Sequence, residues 1–504
     1  MLPRTPASAL LLTTSLLAQP ATPTPTEPKP TAGPPAQELR FESEHELHWD
    51  GGSLRYRAVA GTTLLCGDDG APEAEFFTFS YLAADADPTR RAITFAFNGG
   101  PGSASLWLHM GLLGPRLVQV PSDAQGAGAP PYPLVDNPHS LLAVSDLVFV
   151  DPIGTGFSRT VENGDPHDHW GVDEDARSVA RLIRRYLSEH ERWASPKYVL
   201  GESYGGIRGP LLVRELQSGF NACALNGVIL ISPACDMELV DGQDYDAAYA
   251  TVLPTYAATA WYHDALPERP ADFDAFLAEV REFAANDYVP ALFKGRDRPA
   301  AEHAAVLEKL HRYTGLSADY LERAHLRVST DRFRRELLRD RGLVVGRLDT
   351  RYTGTEPDAV GEVPSGDPMA AGISGAFVAG FQHYARGELG VEVDREYVVM
   401  SSEAGKHWRR PEQQWPAFQG HVDVMPHLAK GMADNPDLRV FVASGYFDIA
   451  TTFYAAEYNV ARSTMDRDRV VIRNYPAGHM MYVHRPTLVE LSADLREFVR
   501  PAAK

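Results

Sequence analysis

Cysteine is almost absent from this sequence. Its 504 residues include three, Cys66, Cys223 and Cys235, and an odd, scattered set offers neither a disulfide framework nor metal-ligand spacing. Cys223 and Cys235 bracket the apolar run 228–231; with that run extended, their α-carbons stand too far apart to bridge. Stability then rests on a hydrophobic core, which a 44% apolar composition can fill. Positive charge is scarce too: 48 Lys and Arg against 67 Asp and Glu leave a net charge of −19. Nucleic acid and anionic membrane surfaces would both be repelled, so neither is expected as a partner.

The apolar run at residues 7–18 is too short to cross a bilayer. Preceded by Arg4, it has the form of a secretory signal with cleavage after Ala18 or Ala21, and an apolar unstructured tail is the alternative. No cysteine lies near the cleavage point, so no lipid anchor is expected there, and the predicted location is secreted or periplasmic. Residues 19–37, rich in Pro, Thr and Ala, read as a linker.

From residue 38 the chain has the rhythm of an α/β protein. Residues 47–82 alternate in short stretches broken at Gly51-Gly52 and Asp68-Asp69-Gly70, suggesting antiparallel strands at a sheet edge. Buried-type strands follow at 92–97, 147–150, 198–200 and 228–231, with a helix between whose apolar face is Val172, Ala176, Val179, Ile183 and Tyr186. Strands alternating with helices argue for a mostly parallel sheet covered on both faces. Residues 236–425 lose the rhythm and carry helix-like stretches at 271–285 and 316–338, so they read as an inserted, largely helical cap between core parts 38–235 and 426–504. The strand pattern returns at 439–443 and 469–474.

Chemistry is concentrated where strands stop. Gly201-Glu202-Ser203-Tyr204-Gly205 fits the G-x-S-x-G elbow, in which a strand turns sharply into a helix and exposes a nucleophilic serine, here Ser203. The helix after it has its apolar face at Ile207, Leu211, Leu212 and Leu216. A serine hydroxyl needs a base, and the base needs a carboxylate to fix its tautomer. His479 follows the last strand and Asp448 the one before, which is the order Ser, Asp, His of an α/β-hydrolase. His484 is the nearest rival base. The turn Asn98-Gly99-Gly100-Pro101-Gly102 can bring bare backbone N–H groups against an oxyanion. Such a triad needs no metal and no cofactor.

These motifs resemble the serine carboxypeptidases, α/β-hydrolases that trim peptides from the C-terminus, usually best in acid, and a bacterial-type member is expected. The likeness is carried by the glycine turn, Asp136-Asn137-Pro138 with Ser140-Leu141, Asp151-Pro152-Ile153-Gly154-Thr155-Gly156-Phe157-Ser158, the elbow with Gly206, and Ala477-Gly478-His479-Met480 with Pro486. The resemblance implies Ser203, Asp448 and His479 as the triad, Gly100 and Tyr204 N–H as the oxyanion hole, and Asn98, Gly99 and Glu202 as binders of the substrate's terminal carboxylate. A carboxyl group binds a carboxylate best when protonated, which would favour acid. Glu202 read structurally is only a support of the elbow.

The chain also departs from the family. Leu112 stands where a second glutamate is usual, two residues before Gly114-Pro115, leaving Glu202 and Asn98 alone, or His109 or Arg116 as substitutes, or a looser specificity. Ser103 and Thr451 replace cysteines that the family often carries. Peptides are the expected partners, and oligomeric state stays open. An esterase or acyltransferase on the same triad, and a non-catalytic binding scaffold, are the alternative readings.

Overall fold

The strands that read as uninterrupted apolar runs form the middle of one sheet. The computed structural model describes residues 33–220, 222–240, 245–411 and 420–500; the expected signal 1–18 and linker residues 19–32 lie outside the described residues. Nine strands cross the sheet: β1 Arg40–Trp49, β2 Gly52–Cys66, β3 Pro72–Ala83, β4 Ala92–Phe97, β5 Ser145–Val150, β6 Lys197–Glu202, β7 Gly227–Ile231, β8 Arg439–Gly445 and β9 Val470–Tyr475. Their spatial order is β1-β2-β3-β5-β4-β6-β7-β8-β9, and the two-residue strand Arg159–Thr160 adds to β3. Pairing is antiparallel from β1 through β5 and parallel from β5 through β9. This is the expected α/β class, with a mixed, mostly parallel sheet.

Alternate side chains of the central strands enter two different cores, as a pleated strand covered on both sides requires. On one face lie Leu147, Phe149, Tyr198, Leu200, Ile229 and Ile231. On the other lie Ile93, Phe95, Val148, Val199, Val228 and Leu230. Helices α1 (Val172–Glu189) and α2 (Gly205–Gln217) cover the second face, and the predicted residues Val172, Ala176, Val179, Ile183, Ile207, Leu211 and Leu216 are all buried there. By contrast, β1 alternates exposed and half-buried positions, as an edge strand does.

Between β7 and β8, three helices, α3 (Asp246–Tyr262), α4 (Phe273–Phe283) and α5 (Ala300–Thr314), enclose a third core of their own. Beyond residue 345 the expected insertion packs against the sheet instead. Helix α6 (Pro368–His383) sends Met369, Ile373, Phe377 and Phe381 into the first core, and α7 (Met425–Asp434) packs with α2. Helix α8 (Phe453–Arg462) follows β8, and α9 (Arg485–Val499) covers the first face beside α6. The stretch 316–338 is not one helix. Ala318–Arg323 and Thr330–Glu336 are separate, each capped by a serine (Ser317, Ser329), and His325 and Leu326 between them take positive φ. All three cysteines are free.

In register, Phe97 pairs with Gly201, Glu202 with Ile231 and Ile231 with Ala443, so the carboxyl ends of β4, β6, β7 and β8 lie side by side. Ligands of open α/β sheets bind at this edge. Phe95→Ala, which empties a fully buried site between β4 and α1, where the ring meets Tyr186, is expected to lower unfolding free energy by about 3–5 kcal/mol. Phe293→Ala, at 87% exposure, is expected to change it by less than about 0.5 kcal/mol. Urea titration checks both; equal effects would contradict the burial of Phe95.

Candidate active site

Ser203 sits at the end of β6 with φ of +62°, a left-handed conformation uncommon for a residue with a side chain. Hydrogen bonds hold it there. Its N–H donates to Ile231 O (3.0 Å), and its carbonyl accepts from Gly206 N (2.8 Å) and Ala234 N (3.0 Å). At Gly201 a Cβ would overlap the Gly205 carbonyl and lie 2.6 Å from the Phe97 ring, so strand and helix approach this closely only without a side chain.

The turn after β4 presses against this elbow. A Cβ on Gly99 would overlap the Tyr204 amide nitrogen and come within 2.8 Å of Ser203 Cβ. Gly100 follows at φ +104°. Among the described residues, neither the Gly100 nor the Tyr204 N–H donates to a backbone carbonyl. The Asn98 amide is oriented by two bonds: Oδ1 accepts from Leu108 N (3.0 Å), and Nδ2 donates to Glu202 Oε1 (2.9 Å). Buried Arg208, paired with Asp175 at 2.6 Å, donates to Asn98 O at 2.8 Å and fixes the turn from beneath.

Asp448 and His479 meet at 2.7 Å between Oδ2 and Nδ1. Asp448 has no exposed surface, and a buried carboxylate needs every partner it can find. Thr451 supplies two, its N–H to Oδ1 (3.0 Å) and its hydroxyl to Oδ2 (2.8 Å). The elbow, acid and histidine loops converge on two consecutive residues. Ile231 O holds Ser203 N; Ser232 Oγ donates to His479 O (2.8 Å), and Ser232 O lies 2.7 Å from Thr451 Oγ1, sharing its single hydroxyl proton with Asp448. From the other side, residues 347–351 strap the same loops. Leu348 O accepts from His479 N (2.6 Å), Thr350 N donates to Phe447 O (2.9 Å), and the Arg351 guanidinium donates to Pro476 O (2.9 Å).

Titration in the site is coupled. Burial raises the Glu202 carboxyl to about 7, against the smaller opposing pull of His479 and of hydrogen-bonding side chains. Burial also pulls His479 down, but the Asp448 charge and hydrogen bond outweigh it, and Glu202 adds to them; the imidazole ends above its usual value.

The alternatives named from sequence fall elsewhere. His484 bonds Thr487 Oγ1 (2.8 Å) at the start of α9, away from Asp448. His109 faces the Tyr81 hydroxyl (2.6 Å) and stacks on Phe149, and Arg116 pairs with Asp136 and Glu388, so neither stands in for the missing glutamate. Sequence reasoning missed Thr451's grip on Asp448, Arg208, the strap 347–351, and Tyr482, whose phenol faces Glu202. Only Arg208 left a signal, a charge among the apolar residues of α2. Asp236, His421 and Asp423 bring possible metal ligands within 4.8 Å of one another. Arg462 already bridges the two aspartates and Glu238 pairs with the histidine, so each of the three side chains already has a protein partner.

Residues 68–266 match the serine carboxypeptidase family model. Over that stretch the chain is similar to the serine carboxypeptidases. Serine carboxypeptidase-like 5 of Arabidopsis thaliana is 30% identical over 194 residues, 36% of this chain and 41% of the relative. Serine carboxypeptidase-like 7 of the same plant is 31% identical over 179 residues, 33% and 38% of the two chains. The chain thus spans about two fifths of the curated relatives it matches, and these plant proteins lend nothing to the expectation of a bacterial-type member. The crystal structure of Kex1(delta)p, a prohormone-processing carboxypeptidase of Saccharomyces cerevisiae, superposes with a TM-score of 0.54, covering 88% of this chain and 91% of that one. At 14% identity, that likeness is one of fold, and the fold is the α/β-hydrolase. No helix among the described residues is long and apolar enough to cross a membrane.

If the Asp448 charge holds the imidazole above its usual value, Asp448→Asn leaves burial opposed only by the weaker pull of Glu202. The His479 pKa, read by NMR of the imidazole protons, is then expected to fall below 6.5. An unmoved or higher value would contradict the coupling.

Proposed function

We propose that the chain is an exported serine-type carboxypeptidase that hydrolyses C-terminal peptide bonds through an acyl-enzyme. One observation carries the reading: a buried carboxyl raised to about 7, bonded to Asn98, adjoins a strained serine at the same sheet edge as a bonded Asp–His pair. In this reading the Ser203 hydroxyl attacks the last peptide carbonyl and His479 takes its proton. Asp448 stabilises the imidazolium that forms. The N–H groups of Gly100 and Tyr204 receive the developing oxyanion, each worth about 3 kcal/mol in such sites. His479 returns the proton to the leaving amine, and a water molecule, deprotonated by the same imidazole, releases the acyl group.

Protonated Glu202, the free Asn98 N–H and the Gly99 backbone hold the terminal carboxylate of the substrate. As pH rises through about 7, Glu202 ionises and repels that carboxylate. On the acid side, His479 must shed its proton, and a neutral Glu202 eases this by no longer holding the imidazolium. Activity on free-acid peptides therefore falls above neutrality. Export rests on the apolar segment after Arg4, and the mature N-terminus after Ala18 or Ala21 is read by sequencing the released protein. Of the insertion 236–425, we assign residues 246–345, with their own core, as the cap.

N-blocked dipeptides incubated with purified protein test the reading. Turnover is expected for free acids and far less for C-terminal amides, and Ser203→Ala is expected to lose at least ~10⁴-fold in kcat. Equal cleavage of acids and amides removes the carboxypeptidase claim; short acyl esters cleaved without peptide turnover select the esterase reading, which the loss of the second glutamate at Leu112 favours. In Glu202→Gln the alkaline decline in kcat/KM for free acids is expected to disappear. A decline that persists at the same pH would exclude Glu202 as its source.

A further inference from the structure

The carboxypeptidase reading leaves a gap where Leu112 stands. That side chain is buried and apolar, and the carbonyl of Leu112 is taken by Asn137 Nδ2 (2.9 Å). A different residue comes to the clamp from the far end of the chain. Tyr482 lies three positions after His479, in the single turn Met481–Val483 that leads into α9, and it is 3% exposed. Its ring occupies the space that a side chain at 111 would fill: a Cβ on Gly111 would overlap Tyr482 Cε2. Gly111 and Tyr482 are thus a fitted pair, and the glycine is what admits the ring.

Two polar atoms at this spot make no hydrogen bond of normal geometry. Tyr482 OH and Glu202 Oε2 are both buried without a hydrogen-bond partner among the described residues. They face each other closely enough that each shifts the other's titration, and the Asn98 side chain adjoins both. A buried hydroxyl without a partner is costly, and a ligand accepting from it would recover that cost.

We propose that the Tyr482 phenol is a substrate-binding group that donates to the C-terminal carboxylate of the peptide, completing with Asn98 and Glu202 the clamp that Leu112 leaves short. A carboxylate has about four acceptor sites, and these three side chains offer it three donors. They differ in their response to pH. Burial and the neighbouring Glu202 carboxylate keep the phenol protonated well above its usual range, so it donates at every working pH, whereas Glu202 does so only while protonated.

The inference rests on the carboxypeptidase reading, and its test separates the two. The purified full chain and its Tyr482→Phe variant are compared on an N-blocked dipeptide as the free acid and as the C-terminal methyl ester. Losing a hydrogen bond to a charged group is expected to raise KM for the acid roughly 10- to 100-fold, with kcat and the ester KM little changed. Phenylalanine keeps the ring against Gly111 and leaves the lining of the adjoining pocket of about 330 Å³ in place; a melting temperature equal to or above that of the wild type verifies the fold. Gly111→Ala, which displaces the ring without touching the hydroxyl, is expected to raise the same KM. If the wild type prefers the acid yet Tyr482→Phe leaves its KM unchanged, the proposal for Tyr482 is overturned and the carboxypeptidase reading stands. A wild type that shows no preference for the acid takes down both.

Discussion

The 2.7 Å contact between Asp448 and His479 is the interaction on which the other arrangements depend. An ionised carboxylate with no exposed surface is tolerable only when its lone pairs are filled. Thr451 fills two of them and the imidazole a third. Because Thr451 and His479 are also bound to Ser232, whose neighbour Ile231 holds the Ser203 N–H, satisfying one buried charge fixes the relative position of three chain segments. The parallel sheet makes this possible by bringing those segments to one edge in register.

Much of this was legible in the sequence, for physical reasons that vary by residue. The central strands could be read because both of their faces are buried, which leaves unbroken runs such as Leu147–Val150 within β5. The elbow could be read because Gly201 has no room for a side chain, so its glycine marks a close approach. The split between the helices Ala318–Arg323 and Thr330–Glu336 could not: His325 and Leu326 take positive φ without glycine to announce it, and the apolar spacing runs through them. Helix α6 was likewise invisible as a part of the main core, since its sequence is apolar nearly all round and presents no single face.

Site residues divide in the same way. Ser203, Asp448 and His479 stand where strands end, so position and residue type point to them together. Thr451 looks like a lost cysteine until its hydroxyl is seen on the carboxylate. The pairing of Gly111 with Tyr482 depends on two parts of the chain that meet only through the packing of α9 beneath the sheet, and nothing local in either segment signals the other. Arg208 is the exception, a lone charge among apolar neighbours whose use becomes plain once Asp175 and Asn98 are beside it.

The strap at 347–351 belongs to the chain between β7 and β8, yet its backbone bonds directly to His479 and to Phe447, next to Asp448. Swinging that segment outward would break the same contacts that hold Asp448 and His479 in place. It cannot serve as a door. The loops that carry Asp448 and His479 are therefore fixed on this side, and any local opening beside them must come from elements that do not touch the strap.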